Sequence, residues 1–491
     1  MTLTDFITEP KSLLIAPAGH GKTFAIASCI NLCPSGDKQL VLTHTHAGIS
    51  SIKQKLHKLK VEENRFEVAT ITGFAQRIVS AFYGLSRIEV HQEDQNYFNA
   101  ILQKCIELFS KTSVQSVLRV SYCGLFVDEY QDCNKIQHCL IMNLSEILPT
   151  HLFGDPLQAI YDFDGERVDF DKDLVGFTKF DILNIPWRWN IEGNTPELGN
   201  KILDIRKTLL SNKSSIKLID DEKSHFRVFT ISSVQDSIYY KRIGEFLRSL
   251  EGNSILVIIP TYIDRRKGIM RGGIDDRALL RKQLVLNHHY NLIEAIDDRS
   301  FYSLAKDADE LFSSISRARK KIDRIYDYLV KLRINKTDLN EWFSNNRIKY
   351  KRAPYTGPSN KLREVCQMFI STPHAGTLLS ILSVVTEIIK LSSRRPELLT
   401  SIKRSLQRSH QNGDTVYKNQ CQLKNEIRMI GRKIEGRYIG TTLLTKGLEF
   451  DTVVILSAHL IPDKRNFYVG ISRACKNLYL LTENTELTLT D

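Results

Sequence analysis

LLIAPAGHGKT (13–23) is the most informative run of residues in the chain. An apolar run ends in a loop of small residues, and the loop ends in Gly-Lys-Thr. The run reads as a short buried strand, and the FAIASCI that follows (24–30) reads as a helix. A small-residue turn between strand and helix aims backbone N–H groups at phosphate oxygens. Gly19 and Gly21 permit that turn, Lys22 is placed to reach β- and γ-phosphates, and the Thr23 hydroxyl to hold Mg²⁺. Ala18, His20 and Phe24 complete the expected nucleotide-binding loop, and Ala16 stands where such loops usually have their first Gly.

A second motif selects hydrolysis among the uses of a bound nucleotide. In LFVDEYQD (125–132) an apolar strand delivers two adjacent carboxylates at its C-terminal end. Asp128 is the expected metal-shell residue. Glu129 is the expected general base, able to take a proton from water beside the metal.

Around these motifs, short buried strands are expected at 12–16, 40–43, 124–129 and 151–155, each separated by helical stretches. That alternation predicts a parallel sheet with helices on both faces. A second α/β region is expected from FDILNIPW (180–187) through FRVFTI (226–231) and NSILVIIP (253–260). Residues 261–430 are mostly helical by pattern, with RAPYTGPSN (352–360) read as a loop. Strand patterns return at RYIGTT (437–442), DTVVILS (451–457) and NLYLLT (477–482). The expected organisation is a first domain over 1–179 with a small insert near 83–120. A second domain over 180–260 and 431–491 is split by a helical insert over 261–430.

Charge is concentrated in that insert. The chain carries a net +12, but residues 261–440 hold 35 Lys and Arg against 19 Asp and Glu, leaving the rest of the chain negative. Such a segment suits a polyanion, most simply nucleic acid, and also suits a set of solvated helix faces. No apolar run reaches 18 residues, so no membrane partner is expected. The first residues, MTLTDFITEPKS, lack the basic and apolar regions of a secretory signal. The nine cysteines show no CxxC pair and no zinc spacing, which reads as reduced thiols and a cytoplasmic location.

Further segments follow in a set order. VDEYQD and FGDPLQAIYDFDG (153–165) resemble the UvrD/Rep group of superfamily 1 DNA helicases. So do VLTHTHAGISSIKQKL (41–56), TITGFAQRI (70–78), LNIPWRWN (183–190), TKGLEFDTVVIL (445–456) and NFYVGISRACKNLYLL (466–481). The resemblance implies an α/β fold of two RecA-like P-loop NTPase domains with parallel sheets, ATP and Mg²⁺ held between them, and the second domain split by the insert. It implies Gln158 as sensor of the γ-phosphate and attacking water, and Arg188 and Arg473 as arginine fingers. Trp187 would stack on adenine and Glu449 would meet the nucleotide sugar. Thr45, Phe74, Tyr161, Phe163 and Trp189 would lie at DNA. The implied activity is an ATP-dependent helicase or translocase on single-stranded or tailed DNA, moving 3′→5′. A different class stays open: a DNA-sensing ATPase subunit that reports to a nuclease partner without net unwinding. Compact members of the group accompany nucleases in anti-phage defence, and the GajB subunit of Gabija systems is similar in size and layout.

The chain departs from the group's pattern at several places. No Gln precedes the phosphate loop, since the first in the chain is Gln39. Asp164 stands for an Arg, His46-Ala47 for Asn-Lys, and Leu443 for a His before KGLE. ISRA occurs twice, at 315–318 and 471–474. The copy followed by the apolar run NLYLLT assigns the finger to Arg473, and Arg317 reads as a solvated basic residue.

Overall fold

The computed structural model describes residues 2–88, 96–161, 167–211, 215–231, 237–264, 269–286, 289–294, 299–430 and 436–490. The chain forms two compact units. Residues 1–272, 288–291 and 429–491 make the first, and residues 273–287 and 292–428 the second.

The first unit is built on two six-stranded sheets. One contains β1 (Lys11–Ile15), β2 (Gln39–Thr43), β3 (Phe66–Thr70), β4 (Gly124–Val127), β5 (Thr150–Gly154) and β6 (Thr178–Phe180), in the order β3-β2-β4-β5-β1-β6. Every pairing in it is parallel. Successive side chains of a strand point to opposite faces, and the two cores follow that rule. Leu13, Leu40, Leu42, Leu125, Val127 and Leu152 face one core. Leu14, Val41, Phe126 and Phe153 face the other. With helices covering both faces, strands such as GLFV and QLVLT are buried along their whole length and read as continuous apolar runs. Each Leu, Val or Phe so buried contributes on the order of 1.5–3 kcal/mol.

Two strands of this sheet were not expected from the sequence. Both β3 and β6 are edge strands, β3 largely half-buried and β6 exposed at Thr178 and Lys179, so neither carries an apolar run. The second α/β region expected to begin near FDILNIPW has no strand of the second sheet there. Phe180 closes β6 against Leu14 of β1, and residues 181–187 form no strand. The expected small insert near 83–120 contains helices Tyr97–Phe109 and Thr112–Ser121. Their Ile101, Leu102, Phe109 and Leu118 complete the first core.

His151 on β5 gives a pH prediction. Its ring lies between Phe6 and Phe126, with Nδ1 2.8 Å from Ser12 Oγ, and burial pushes its pKa down to about 4. The unfolded chain therefore binds more protons between pH 4 and 6.5. This stability is present above pH 6.5 and is lost as pH falls through about 4. From pH 7 to 5 the expected loss is roughly 2 kcal/mol. Urea melts of His151→Gln across that range should show a shallower acid limb; an unchanged limb would rule His151 out as its source.

The second sheet contains β7 (Phe226–Thr230), β8 (Ile255–Ile258), β9 (Asn291–Leu292), β10 (Arg437–Gly440), β11 (Phe450–Ile455) and β12 (Ala474–Thr482), in the order β9-β10-β8-β11-β12-β7. The pairs from β10 through β7 are parallel. The chain is thus α/β with two RecA-like sheets.

The second unit is mostly helical, around a core of Phe301, Leu311, Tyr328, Leu362, Phe369 and Ile402. It begins at 273 rather than 261; a short hairpin, Tyr262–Asp264 with Ile269–Arg271, precedes it. RAPYTGPSN is a loop only as far as Tyr355. Helix Thr356–Ser371 starts inside it, because Pro358 falls in the first turn, where its missing N–H costs nothing. No helix among the described residues is long and apolar enough to cross a membrane.

Candidate active site

Strands β4, β5 and β1 are neighbours and run parallel, so the loops after them lie side by side. Their C-terminal ends bring together Gly19–Thr23, Asp128–Glu129 and Asp155–Gln158, the place where open parallel sheets bind ligands. The second sheet contributes Lys446, Glu449 and Arg473, which stand just before β11 and β12, and Tyr468 of helix Lys464–Ile471.

The phosphate loop has the conformation its residues suggested. Gly19 and Gly21 have φ of +73° and +81°, and a Cβ on Gly19 would come within 2.8 Å of the Trp189 ring. Only glycine satisfies both the backbone and the approach. Gly21 precedes helix Lys22–Leu32 with no side-chain cap, so the first N–H groups of that helix face the loop. Lys22 Nζ donates to the carbonyls of Ala16 at 2.8 Å and Pro17 at 3.1 Å. The Ala18 N–H donates to the Tyr468 hydroxyl at 3.0 Å. His20 is buried, its Nδ1 2.9 Å from the Ala18 carbonyl oxygen, and burial lowers its pKa. Phe24 and Trp187, both partly exposed, stack with ring centroids 6.4 Å apart.

The carboxylates sit below this loop. Thr23 Oγ1 donates to Asp128 Oδ2 at 3.3 Å, a hydroxyl and a carboxylate that fit the hard-oxygen shell of Mg²⁺. Burial pushes Asp128 up to about 7, with the Glu129 charge adding to it. For Glu129, burial works against the charge. The cations of Lys22 and Lys446, the Gln131 amide and Arg473 more than offset it and hold Glu129 below the ordinary carboxylate value. A proton acceptor at neutral pH requires that condition. Glu129 has a φ of +54°, a conformation non-glycine residues rarely adopt and one that recurs at functional sites. Gln131 ties this carboxylate to the next loop: its Nε2 donates to Glu129, and its Oε1 accepts the Asp155 N–H at 2.9 Å. Asp155 in turn accepts from Gln158 Nε2 at 3.0 Å and pairs with Arg206 at 2.8 Å.

Three cations approach from the far side. Arg473 is buried and reaches Gln158 Oε1 at 3.5 Å; burial and the Arg188 charge lower its pKa to about 10, still protonated at neutral pH. Lys446 pairs with Asp132, both side chains buried, and donates to the Gln158 carbonyl at 2.6 Å. Arg188 donates to the Ser472 carbonyl at 2.5 Å and pairs with Glu449, while its own N–H donates to the Gly19 carbonyl at 3.1 Å. The structure therefore joins Arg188 and Glu449 to each other, at the rim of the phosphate loop.

Expectations for DNA contact fare differently. Phe74 and Trp189 are corrected: both are fully buried and offer no face to a base. Phe74 belongs to the first core, and Trp189 packs on Gly19 and Gly199 with Nε1 donating to the Ala474 carbonyl at 2.8 Å. Thr45 is exposed and caps helix His46–Lys58, its Oγ1 accepting the Gly48 N–H at 3.0 Å. Tyr161 is half-buried under Lys446 Nζ, 4.7 Å from its ring centroid. Phe163 and Asp164 lie outside the described residues.

Lys446, Asp132, Gln131 and Tyr468 were not singled out from the sequence, although each lies inside a quoted motif. Arg206 carried no signal at all, because a basic residue on helix Pro196–Leu210 looks like any solvated one.

Residues 82–170 match the UvrD/REP helicase N-terminal domain family. The matched segment contains Asp128, Glu129 and Gln158, and the phosphate loop precedes it. The match supports a UvrD-like, helicase-type ATPase. No curated protein matches the chain. Among solved structures, a complex of arterivirus nonstructural protein 10, a helicase, with DNA matches at 12% identity and a TM-score of 0.26, over 52% of this chain. The chain spans about half the length of that viral protein, 48%.

Proposed function

We infer that the protein is an ATP-driven translocase on single-stranded DNA that moves 3′→5′ and displaces a complementary strand. One observation carries the reading: side chains from the second sheet close on the phosphate loop and carboxylates of the first. Tyr468 takes the Ala18 N–H, Lys446 spans Asp132 and Gln158, and Arg473 reaches Gln158. Hydrolysis at such a site depends on how the two sheets meet, and that dependence is what lets a nucleotide cycle move one against the other. A bound Mg²⁺ would neutralise charge developing on the phosphoryl oxygens. The chain's own residues do the rest. Loop N–H groups and Lys22 bind phosphate, and Thr23 and Asp128 hold the cation. Glu129 accepts the proton of the attacking water, Gln158 orients that water, and Arg473 stabilises the transferring group. Phe24 and Trp187 frame a slot for the adenine ring. Thr45, Tyr161 and Phe163 remain the DNA-facing residues of this reading, and the polarity of movement follows the UvrD/Rep resemblance.

The test is steady-state ATP hydrolysis with and without single-stranded DNA, followed by strand displacement from 3′-tailed and 5′-tailed duplexes, with Glu129→Gln as the blank. Strong stimulation and displacement from the 3′-tailed substrate are expected. Basal turnover that depends on Glu129 but ignores DNA would replace the motor with a subunit that needs a partner, such as a nuclease, before it engages DNA.

A further inference from the structure

The first ISRA copy, unused by the ATPase site, lies in the second unit and leads into RARKKIDR (317–324). A second basic run, RIKYKR (347–352), follows 23 residues later. The fold brings the two together through one asparagine. Asn345 and Asn346 form the turn of a hairpin, Phe343–Ser344 with Arg347–Ile348, and both have positive φ, which Asn tolerates. Asn346 Oδ1 then accepts the Ile322 N–H at 2.8 Å and the Asp323 N–H at 3.3 Å, at the start of helix Lys321–Lys331. Its own N–H donates back to Asp323 Oδ1 at 2.8 Å. The hairpin thus caps the helix into which the other basic run leads.

The patch is strongly unbalanced in charge. Segments 317–324 and 341–352 together hold nine Lys and Arg against two carboxylates. Both carboxylates are engaged: Asp323 with the Asn346 N–H, Glu341 with Lys351 at 3.5 Å. Among the described residues, no acidic side chain pairs with Arg317, Arg319, Lys320, Arg347, Lys349 or Arg352, and all six are exposed.

Two tyrosines stand in this field. Tyr350 is 78% exposed, with the Arg363 guanidinium 5.0 Å from its ring centroid, and Tyr355 is 56% exposed. A solvated loop would not hold them there, but this backbone is fastened on both sides. The Lys349 N–H donates to the Trp342 carbonyl, and the Lys349 and Lys351 carbonyls accept from Ser359 and Thr356 of the next helix. Cations flanking an aromatic face presented from a fastened backbone combine phosphate neutralisation with a base-stacking platform.

We propose that this patch, built by Asn346 from the 317–324 and 347–352 runs, is a nucleic-acid contact that binds the phosphodiester backbone, with Tyr350 stacking on a base. The choice of partner rests on the nucleic-acid reading above, and the place of contact rests on the charge and geometry of the patch.

The test measures binding of a labelled single-stranded 20-mer and of a 20-bp duplex to the full chain across a salt series. The variants are Arg317→Gln/Arg319→Gln/Lys320→Gln, Arg347→Gln/Lys349→Gln/Arg352→Gln, and Tyr350→Ala. Each triple variant should weaken binding at least tenfold near 0.1 M salt and lower the salt slope by about 2 to 3. Basal ATP hydrolysis without DNA should be unchanged, which also shows that the variants fold. Tyr350→Ala should weaken single-strand binding about fivefold or more with an unchanged salt slope. If it leaves duplex binding alone, the contact is to single strands; equal triple-variant losses on both substrates assign the shared backbone. Unchanged affinity and slope in both triple variants, with a wild type that binds, would overturn this contact alone and leave the patch to an acidic protein. A wild type that binds neither substrate would overturn both readings. Reduced slopes together with ATP hydrolysis that ignores DNA would keep the contact and remove the translocase.

Discussion

Replacing Arg473 by Ala is expected to lower ATP turnover by about three to five orders of magnitude, the range associated with an arginine finger. The guanidinium is buried and held from several sides. Nε donates to the Val469 carbonyl at 2.9 Å, Nη1 to the Leu448 carbonyl at 3.2 Å, and Nη2 to Ser472 Oγ at 2.8 Å. Its remaining contact points at Gln158, in the turn that follows β5 of the first sheet. A cation fixed before the reaction stabilises developing charge with no reorganisation, which is why its removal falls on turnover more than on binding. Arg473→Lys keeps the charge but loses the planar fork, and should recover little. Pre-steady-state hydrolysis alongside a nucleotide-binding titration checks this. Turnover in Arg473→Ala within tenfold of wild type would remove this residue from the reaction.

Glu129→Gln is the second large effect, an expected loss of about 10²–10⁴ in turnover with nucleotide still bound. The substitution keeps the shape of the side chain and removes the carboxylate that accepts the proton in the proposed reaction. It also removes the negative charge that raises Asp128, so affinity for the Mg²⁺–nucleotide complex should hold or improve. Stoichiometric ATP retained on the variant without product is the expected signature. A variant that hydrolyses at near the wild-type rate would leave another group to activate water.

Much of the first sheet could be read from the chain. Its central strands are buried on both faces, so LLI, VLT, LFV and HLFG appear as apolar runs, and each active-site motif is attached to the end of one. The edge strands β3 and β6 could not be read, because a strand with one open side needs no apolar run. The same limit applies to aromatic residues. Phe74 and Trp189 occupy motif segments, and a motif specifies position along the chain but not which way a ring turns. Trp189 is drawn inward because Gly19 and Gly199 leave room for an indole, and because Ala474 offers its N–H an acceptor.

The chain by itself was enough for the strand–turn–helix form of the phosphate loop and for the two-sheet α/β class, since both are local: a strand, a glycine turn, a carboxylate pair at a strand end. The partnerships across long separations came from the fold. It paired Lys446 with Asp132, Arg188 with Glu449 and Tyr468 with the Ala18 N–H, and it joined two basic runs through Asn346. Burial explains them. A buried charge or N–H must find a partner wherever the fold places one. That partner can lie hundreds of residues away along the chain, where spacing says nothing about it.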